Sequence, residues 1–311
     1  MKIKFECPSC LINRACVESE KAVADPFLRL ETLLSTFTAI AIHATVDVTP
    51  AYLGTIRDRT IKRVSRNPDP FREDKRASNE AALKSVPQAR DYVLDGVDQS
   101  QRFRRACLVS IVCNAFEFGI KGYHFEYESI PRLIEAAEDD IAIDHISEIE
   151  TMARRSSKML LLADNAGEIA FDSILIEQLR QMGISVTVAV KAAPISNDAT
   201  MEDAVEVGIS DLANRVITTG TDSVGLLLEE CSAEFLAEYE RAELIIAKGM
   251  AHYETLSELK LARPHALMFK AKCSPIASNL GVPLGKNVAI LARPEFRGDS
   301  EINLYNSQSF T

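Results

Sequence analysis

The sequence predicts an α/β protein with a Rossmann-like, doubly wound, mostly parallel sheet joined to a helical N-terminal region. Two observations carry this. From Ser157 onward, short apolar runs alternate with stretches of helical periodicity, and such alternation favours a parallel sheet with helices on both faces. Upstream of that point the apolar residues keep a helical spacing instead. The boundary therefore falls near residue 155, with residues 1–155 a helical region packing on the core and residues 156–311 the α/β domain.

The elements follow in order. Residues 17–24 read as a short helix, and Asp25-Pro26 as the cap and first position of a longer one to residue 44, with Leu30, Leu33, Leu34 and Phe37 on its apolar face. Residues 66–75 hold two prolines in a charged run and read as a loop. Helices are predicted over 78–94, interrupted at Pro87, and over 103–118 and 131–138. The predicted strands are 158–163, 184–190, 215–218, 244–247, 266–269 and 288–291, with helices over 169–182, 201–207, 233–242 and 273–280.

At 311 residues the chain can bury a sizeable core. Its formal net charge of -10 argues against general nucleic-acid binding, which needs clustered Lys and Arg. No stretch reads as a signal peptide and no apolar run is long enough to span a bilayer, so the default expectation is a cytoplasmic protein without a membrane partner. Seven cysteines, an odd number in a chain this large, argue against a disulfide framework. Homo-oligomerisation is left open.

In open parallel sheets ligands sit beyond the carboxyl ends of the strands. Here those ends collect polar residues: Asp164, Asn165, Gly167 and Glu168 after the first run, then Asn197, Asp198, Thr200 and Asp203 after the second. Lys248, Gly249, His252, Tyr253 and Glu254 follow another strand, and Lys270 and Lys272 a further one. Carboxylates, an amide and lysines together suit one hard divalent cation beside a phosphate, because Mg²⁺ and Mn²⁺ take oxygen donors and retain waters. Asp164, Asn165 and Asp198 are the candidate metal ligands, with Co²⁺ and Ni²⁺ further candidate ions. Lys248 is positioned to neutralise a phosphoryl group, and the backbone N–H groups of Ala166 and Gly167 to donate to its oxygens.

Taken singly, each Asp or Asn suits a helix N-cap better than a ligand role. Taken together, Asp164, Asn165, Glu168, Asp198 and Asp203 gather several acids at one sheet edge, a repulsive cluster that a cation relieves.

These motifs, "DNAGE" at 164–168, "NDATMED" at 197–203, "KGMAHYE" at 248–254 and "KC" at 272–273, resemble the family once called domain of unknown function 89, the damage-control phosphatases. "CNAFEFG" at 113–119 resembles its Asn-bearing segment, and "CPSC" at 7–10 the start of its archaeal and bacterial branch. The resemblance implies a helical part on a Rossmann-like core, one divalent metal on Asp164, Asn165 and Asp198, and hydrolysis of phosphomonoesters such as sugar phosphates and damaged phosphometabolites. The sequence departs from the family pattern at His252, where Asn is common, and at Glu117, where Asp is common.

On this reading Asp198 or Asp203 serves as base and Lys248 stabilises transferring charge, while the nucleophile, water or an aspartate, stays open. Asn114, Glu117, Gly167, Glu168, Lys248, His252 and Lys272 are the candidate substrate contacts, although Asn114 and Glu117 equally suit a buried helix and His252 a structural role. Cys7 and Cys10 read first as structural, then as a soft-metal or redox pair, and Cys107, Cys231 and Cys273 as buried apolar residues. Two other readings remain: an S-adenosylmethionine-dependent protein carboxyl methyltransferase, poorly served by the single glycine of "ADNAGE", and a metal- or phosphometabolite-binding protein without turnover.

Overall fold

The computed structural model describes residues 1–115 and 130–294. The strands are β1 (Ile141–Asp144), β2 (Lys158–Leu162), β3 (Ser185–Val190), β4 (Arg215–Thr218), β5 (Leu244–Lys248), β6 (His265–Lys270) and β7 (Asn287–Ala292). They form one sheet in the order β1-β7-β6-β5-β2-β3-β4, parallel throughout except for the antiparallel β6–β7 pair. The expected doubly wound α/β class is therefore the observed one. Strand β1 pairs with β7 at one edge although it lies upstream of residue 155. Its alternating half-buried and exposed residues reflect that edge position and left too short an apolar run to be read as a strand.

Period-two alternation explains why the sheet is covered on both faces. Met159 and Leu161 of β2 enter one buried apolar cluster, while Leu160 and Leu162 enter another on the opposite face. The first cluster takes residues from α4 (Arg72–Leu94), α5 (Gln99–Val112), α7 (Ile146–Ala153) and α8 (Glu168–Gln181). The second takes residues from α11 (Ala233–Arg241), α12 (Met250–Leu256) and α13 (Ser274–Leu280). Shorter helices at Ile130–Glu135, Met201–Glu206 and Ile209–Leu212 complete the connections.

The N-terminal helices lie over the strand ends. Helix α1 (Cys7–Ala22) already starts at Cys7, because Pro8 sits in its first turn, where no intrahelical N–H bond is needed. Helix α2 (Pro26–His43) opens as expected, with the Asp25 side chain accepting from Leu28 N at 2.8 Å. Its expected apolar face is only partly buried: Leu30 and Leu34 are exposed, whereas Thr32 and Thr36 are buried and turn their hydroxyls to Leu28 O and Thr32 O. Helix α3 (Pro50–Ser65) has no counterpart in the sequence reading, because its buried stripe includes Thr55, Arg57, Asp58 and Thr60 and so lacks an apolar period. Helix α4 runs unbroken through Pro87, held by buried Ala82, Val86, Ala89 and Val93. Apolar packing along that face compensates for the one ladder bond a proline removes. The helix expected over 103–118 appears as α5 followed by a tight turn at Cys113–Ala115, its further part lying outside the described residues. Among the described residues no helix is long and apolar enough to cross a membrane.

The Asp25 cap sits on an exposed helix end and does not line the cavity. Asp25→Ala is expected to cost about 1 kcal/mol of unfolding free energy, read from the urea midpoint at unchanged slope.

Candidate active site

The order of the sheet reverses beside β2: the chain runs outward from β2 to β3 and β4, then returns to lay β5 on the other side of β2. Loops diverge at such a point and leave a crevice beyond the strand ends. Residues from α1 and α3 roof it into a cavity of about 310 Å³.

Backbone pairing stitches the two loops on its floor together. Ala199 N donates to Asp164 O at 2.7 Å, Ala166 N donates to Asn197 O at 2.9 Å, and Asn165 and Asp198 oppose each other as an isolated antiparallel bridge. Directly opposed residues hold their Cβ atoms roughly 4.5–5.5 Å apart. The adjacent Asp164 and Asn165 and, from the next loop, Asp198 thus line one cavity. Gly249, at φ +85°, presses its backbone against the first of them, and a Cβ there would stand 1.9 Å from Asp164 Oδ2. The glycine of "KGMAHYE" is needed for that close approach.

The carboxylates are oriented by a buried network. Asn114 Nδ2 donates to Asp164 Oδ2 at 2.8 Å and to Glu168 Oε2 at 2.7 Å, and Asn165 Nδ2 donates to the same two atoms at 2.7 and 3.1 Å. With its nitrogen so engaged, Asn165 leaves its side-chain oxygen as the atom able to ligate. Glu168 is itself paired with Lys248, whose Nζ also lies 3.0 Å from Asp172 Oδ1 and 3.0 Å from Ser110 O. Burial works against the charge on Lys248, yet Asp172 and Glu168 outweigh it and hold its pKa above the ordinary lysine value. Burial likewise raises Asp172, against the pull of Lys248.

This arrangement revises several expected roles. Lys248 has no exposed surface and lies behind the acids, so its ammonium positions Glu168 rather than meeting a phosphoryl group. The lysine that does line the cavity is Lys272, hydrogen-bonded to Asn114 O. Gly167 N donates to Asn79 Oδ1 at 2.7 Å and Ala166 N to Asn197 O, so both N–H groups expected to hold phosphate are engaged inside the protein. Asp203 closes a capping box, accepting from Thr200 N at 2.8 Å and Thr200 Oγ1 at 2.7 Å, and takes a further bond from Asn79 Nδ2 at 3.1 Å. It is a cap instead of a base. Asn114 and Glu168 lie beneath the cavity floor as positioning groups, and Glu117 lies outside the described residues.

His252 is buried, with Nδ1 2.6 Å from Lys248 O. A carbonyl only accepts, so Nδ1 carries a proton. Burial, reinforced by the charges of Lys191 and Lys248, pushes its pKa down to about 3. Cys7, Cys10 and Cys273 all line the cavity, which corrects the reading of Cys273 as a buried core residue. Glu254, named at its strand end without a role, also lines it, as do Arg14 and Arg57, which had not been singled out. The sequence offered no apolar period to mark the helix that carries Arg57, since its buried stripe is largely polar.

Among the described residues no group of three His, Cys, Asp or Glu side chains is arranged to hold a metal. The donor set present, two carboxylates and an amide oxygen, nevertheless fits a hard cation that keeps much of its water, and the Gly249 backbone fixes Asp164 against that set.

A helix-roofed, doubly wound sheet with this acid and amide set at its switch point defines the class. The crystal structure of a DUF89 family protein from Pyrococcus horikoshii superposes with a TM-score of 0.83 at 33% identity, covering 95% of this chain and 100% of the other. The chain belongs to the family described as the damage-control phosphatase ARMT1-like domain, whose model matches residues 3–288. It is 33% identical over 290 residues to a damage-control phosphatase of Archaeoglobus fulgidus, covering 93% of this chain and 99% of that one. An uncharacterised protein of Methanocaldococcus jannaschii is 36% identical over 294 residues, covering 93% and 95%.

Lys248→Met is expected to cost about 3–5 kcal/mol, because it strands two buried acids; a denaturation midpoint within error of wild type would refute the anchoring role. His252 binds a proton in the unfolded chain near its ordinary value of 6.5 and in the folded chain only near 3, so stability is fully present above pH 6.5 and declines as pH falls toward 3. Unfolding midpoints measured from pH 7 to 4 should fall less steeply in His252→Asn than in wild type.

Proposed function

We propose that this protein is a metal-dependent phosphatase that hydrolyses small phosphomonoesters, sugar phosphates or damaged phosphometabolites. The observation that carries this is the convergence of Asp164, Asn165 and Asp198 with the Lys272 ammonium on one roofed cavity at the switch point of the sheet. The names of the related archaeal phosphatases support the same reaction class.

Asp164, Asn165 and Asp198 would hold the divalent cation through oxygen atoms. When bound, that cation neutralises phosphoryl charge and makes nearby water more acidic. The chain supplies the rest. Lys272 offers a positive charge to the phosphoryl oxygens, and its bond to the Asn114 carbonyl fixes where that charge stands. Asn114 and Asn165 hold Asp164 in one orientation, so no reorganisation is needed as charge develops. Asp198 and Glu254 are the acids on the cavity wall that can take a proton from attacking water and return one to the leaving oxygen. His252, neutral and tied to the Lys248 carbonyl, moves no proton at neutral pH and serves to brace the turn. The roof of α1 and α3 narrows the cleft, which favours a small substrate.

Phosphate release from a panel of sugar phosphates should vanish after EDTA treatment and return with one of Mg²⁺, Mn²⁺, Co²⁺ or Ni²⁺. Asp198→Ala should lower the metal-restored rate by about 100-fold or more. Absence of turnover by wild type with every metal would sink the reading, leaving methyl transfer or binding without turnover to be tested.

A further inference from the structure

One side chain on the cavity wall is unusual in what surrounds it. Arg57, in the middle of α3, is only 3% exposed and still lines the cavity. Its Nε lies 3.3 Å from Glu18 Oε2 and 2.5 Å from Asp58 Oδ1, and its Nη2 lies 2.5 Å from the same Asp58 oxygen. These contacts hold the guanidinium from one side. Among the described residues Nη1 makes no hydrogen bond or ion pair. Nη1 is not sealed from solvent either, so it opens on the cavity, where a ligand oxygen can take the place of water.

The charge around it fits an anionic ligand. Burial, and then the neighbouring Asp58, push the Glu18 carboxyl well above its ordinary range, which favours a proton held between the two acids and leaves Arg57 facing about one negative charge. Arg14, one turn earlier than Glu18 on α1, adds a second positive charge to the same wall and donates to Ser196 Oγ at 2.8 Å. Ser196 sits at φ 47° in the turn that presents Asp198, so this bond joins the roof to the floor. Glu6 and Glu254, elsewhere on the wall, disfavour an anion away from the arginines. One phosphoryl group already has Lys272 and the proposed cation, and Arg57 belongs to the opposite, roof side of the cavity.

We propose that Arg57 is the specificity-determining residue of this cleft, and that its Nη1 group reads a second oxyanion, a carboxylate or a further phosphate, at the non-reacting end of a phosphorylated metabolite. A planar guanidinium held by two acids is pre-oriented for such a group, where a lysine would offer only a point charge. The proposal rests on the phosphatase reading, and names the class of substrate that the cleft selects.

The test compares three probes: a hexose monophosphate, the matching hexose bisphosphate and the matching phosphosugar acid. Wild type should favour both doubly charged probes over the monophosphate by about ten-fold in kcat/KM, the size expected for one hydrogen bond to a charged group. In Arg57→Lys that selectivity ratio should fall close to one, with the loss in KM. Preference for the bisphosphate alone assigns a phosphate to the site, and preference for the sugar acid alone a carboxylate; either supports the inference. A wild type that shows no preference for a second oxyanion overturns it without any variant, and so does an Arg57→Lys protein that keeps the wild-type ratio. If no probe is turned over with any metal, the phosphatase reading fails by itself. Titration calorimetry of the same probes then decides the matter: tighter binding of the doubly charged probes, lost in Arg57→Lys, supports the inference, and equal binding overturns it.

Discussion

The buried charge of Lys248 is the constraint on which the site depends. An ammonium with no exposed surface costs several kcal/mol to take out of water, and that cost is recovered only where acids and carbonyls surround it closely. Glu168, Asp172 and the Ser110 carbonyl do so here. Glu168 in turn accepts from Asn114 and Asn165, and those two amides hold Asp164. An apolar residue at position 248 would leave Glu168 without a counter-charge and its amide partners without a settled acceptor. The order of the cavity floor is therefore set one layer below the groups that face a ligand.

The roof is held by a different kind of contact. Arg59 of α3 reaches Asp222 Oδ1 at 2.8 Å and Glu230 Oε1 at 3.0 Å, and Lys62 reaches Asp222 Oδ2 at 2.6 Å and Pro194 O at 2.5 Å. Such half-exposed pairs contribute little singly and gain from being a network. Asn79 of α4 adds a buried link, bonding at once to Gly167, Asp203 and Glu206. A buried charge and amide network thus fixes the floor, while more exposed ion pairs position α3 above it.

Much of this was legible in the sequence where a residue's role is local. The six strands read from apolar runs match β2 to β7, because a strand buried on both faces carries its signal in a few adjacent residues. That Asp164, Asn165 and Asp198 meet at one cavity was readable because a parallel sheet brings its carboxyl ends together whatever the loops do. The roles of Lys248, Gly167 and Asp203 were not, since each depends on a partner far away in the chain: Asp172 and Ser110, Asn79, and Asn79 again. A lysine after a strand looks the same whether it faces a cavity or a buried acid. Helix α3 escaped for a related reason, its buried face being polar and satisfied by groups on α1 and on the loop after β4.

The same partition of charge explains how a chain of net charge -10 can receive an anion. The acids that would repel it are either buried with counter-charges, as Glu168 and Asp172 are by Lys248, or gathered where a cation would neutralise them, as Asp164 and Asp198 are. Among the described residues the positive groups that meet the cavity are few but confined: Lys272 on the floor side, Arg14 and Arg57 in the roof. At an effective dielectric of about 20, one unit charge acts on another 4 Å away with about 4 kcal/mol, whereas surface charges beyond a Debye length of about 8 Å are largely screened. The field at the ligand is consequently set by the handful of groups around the cavity, and the surface acids that make up most of the net charge act on solubility instead.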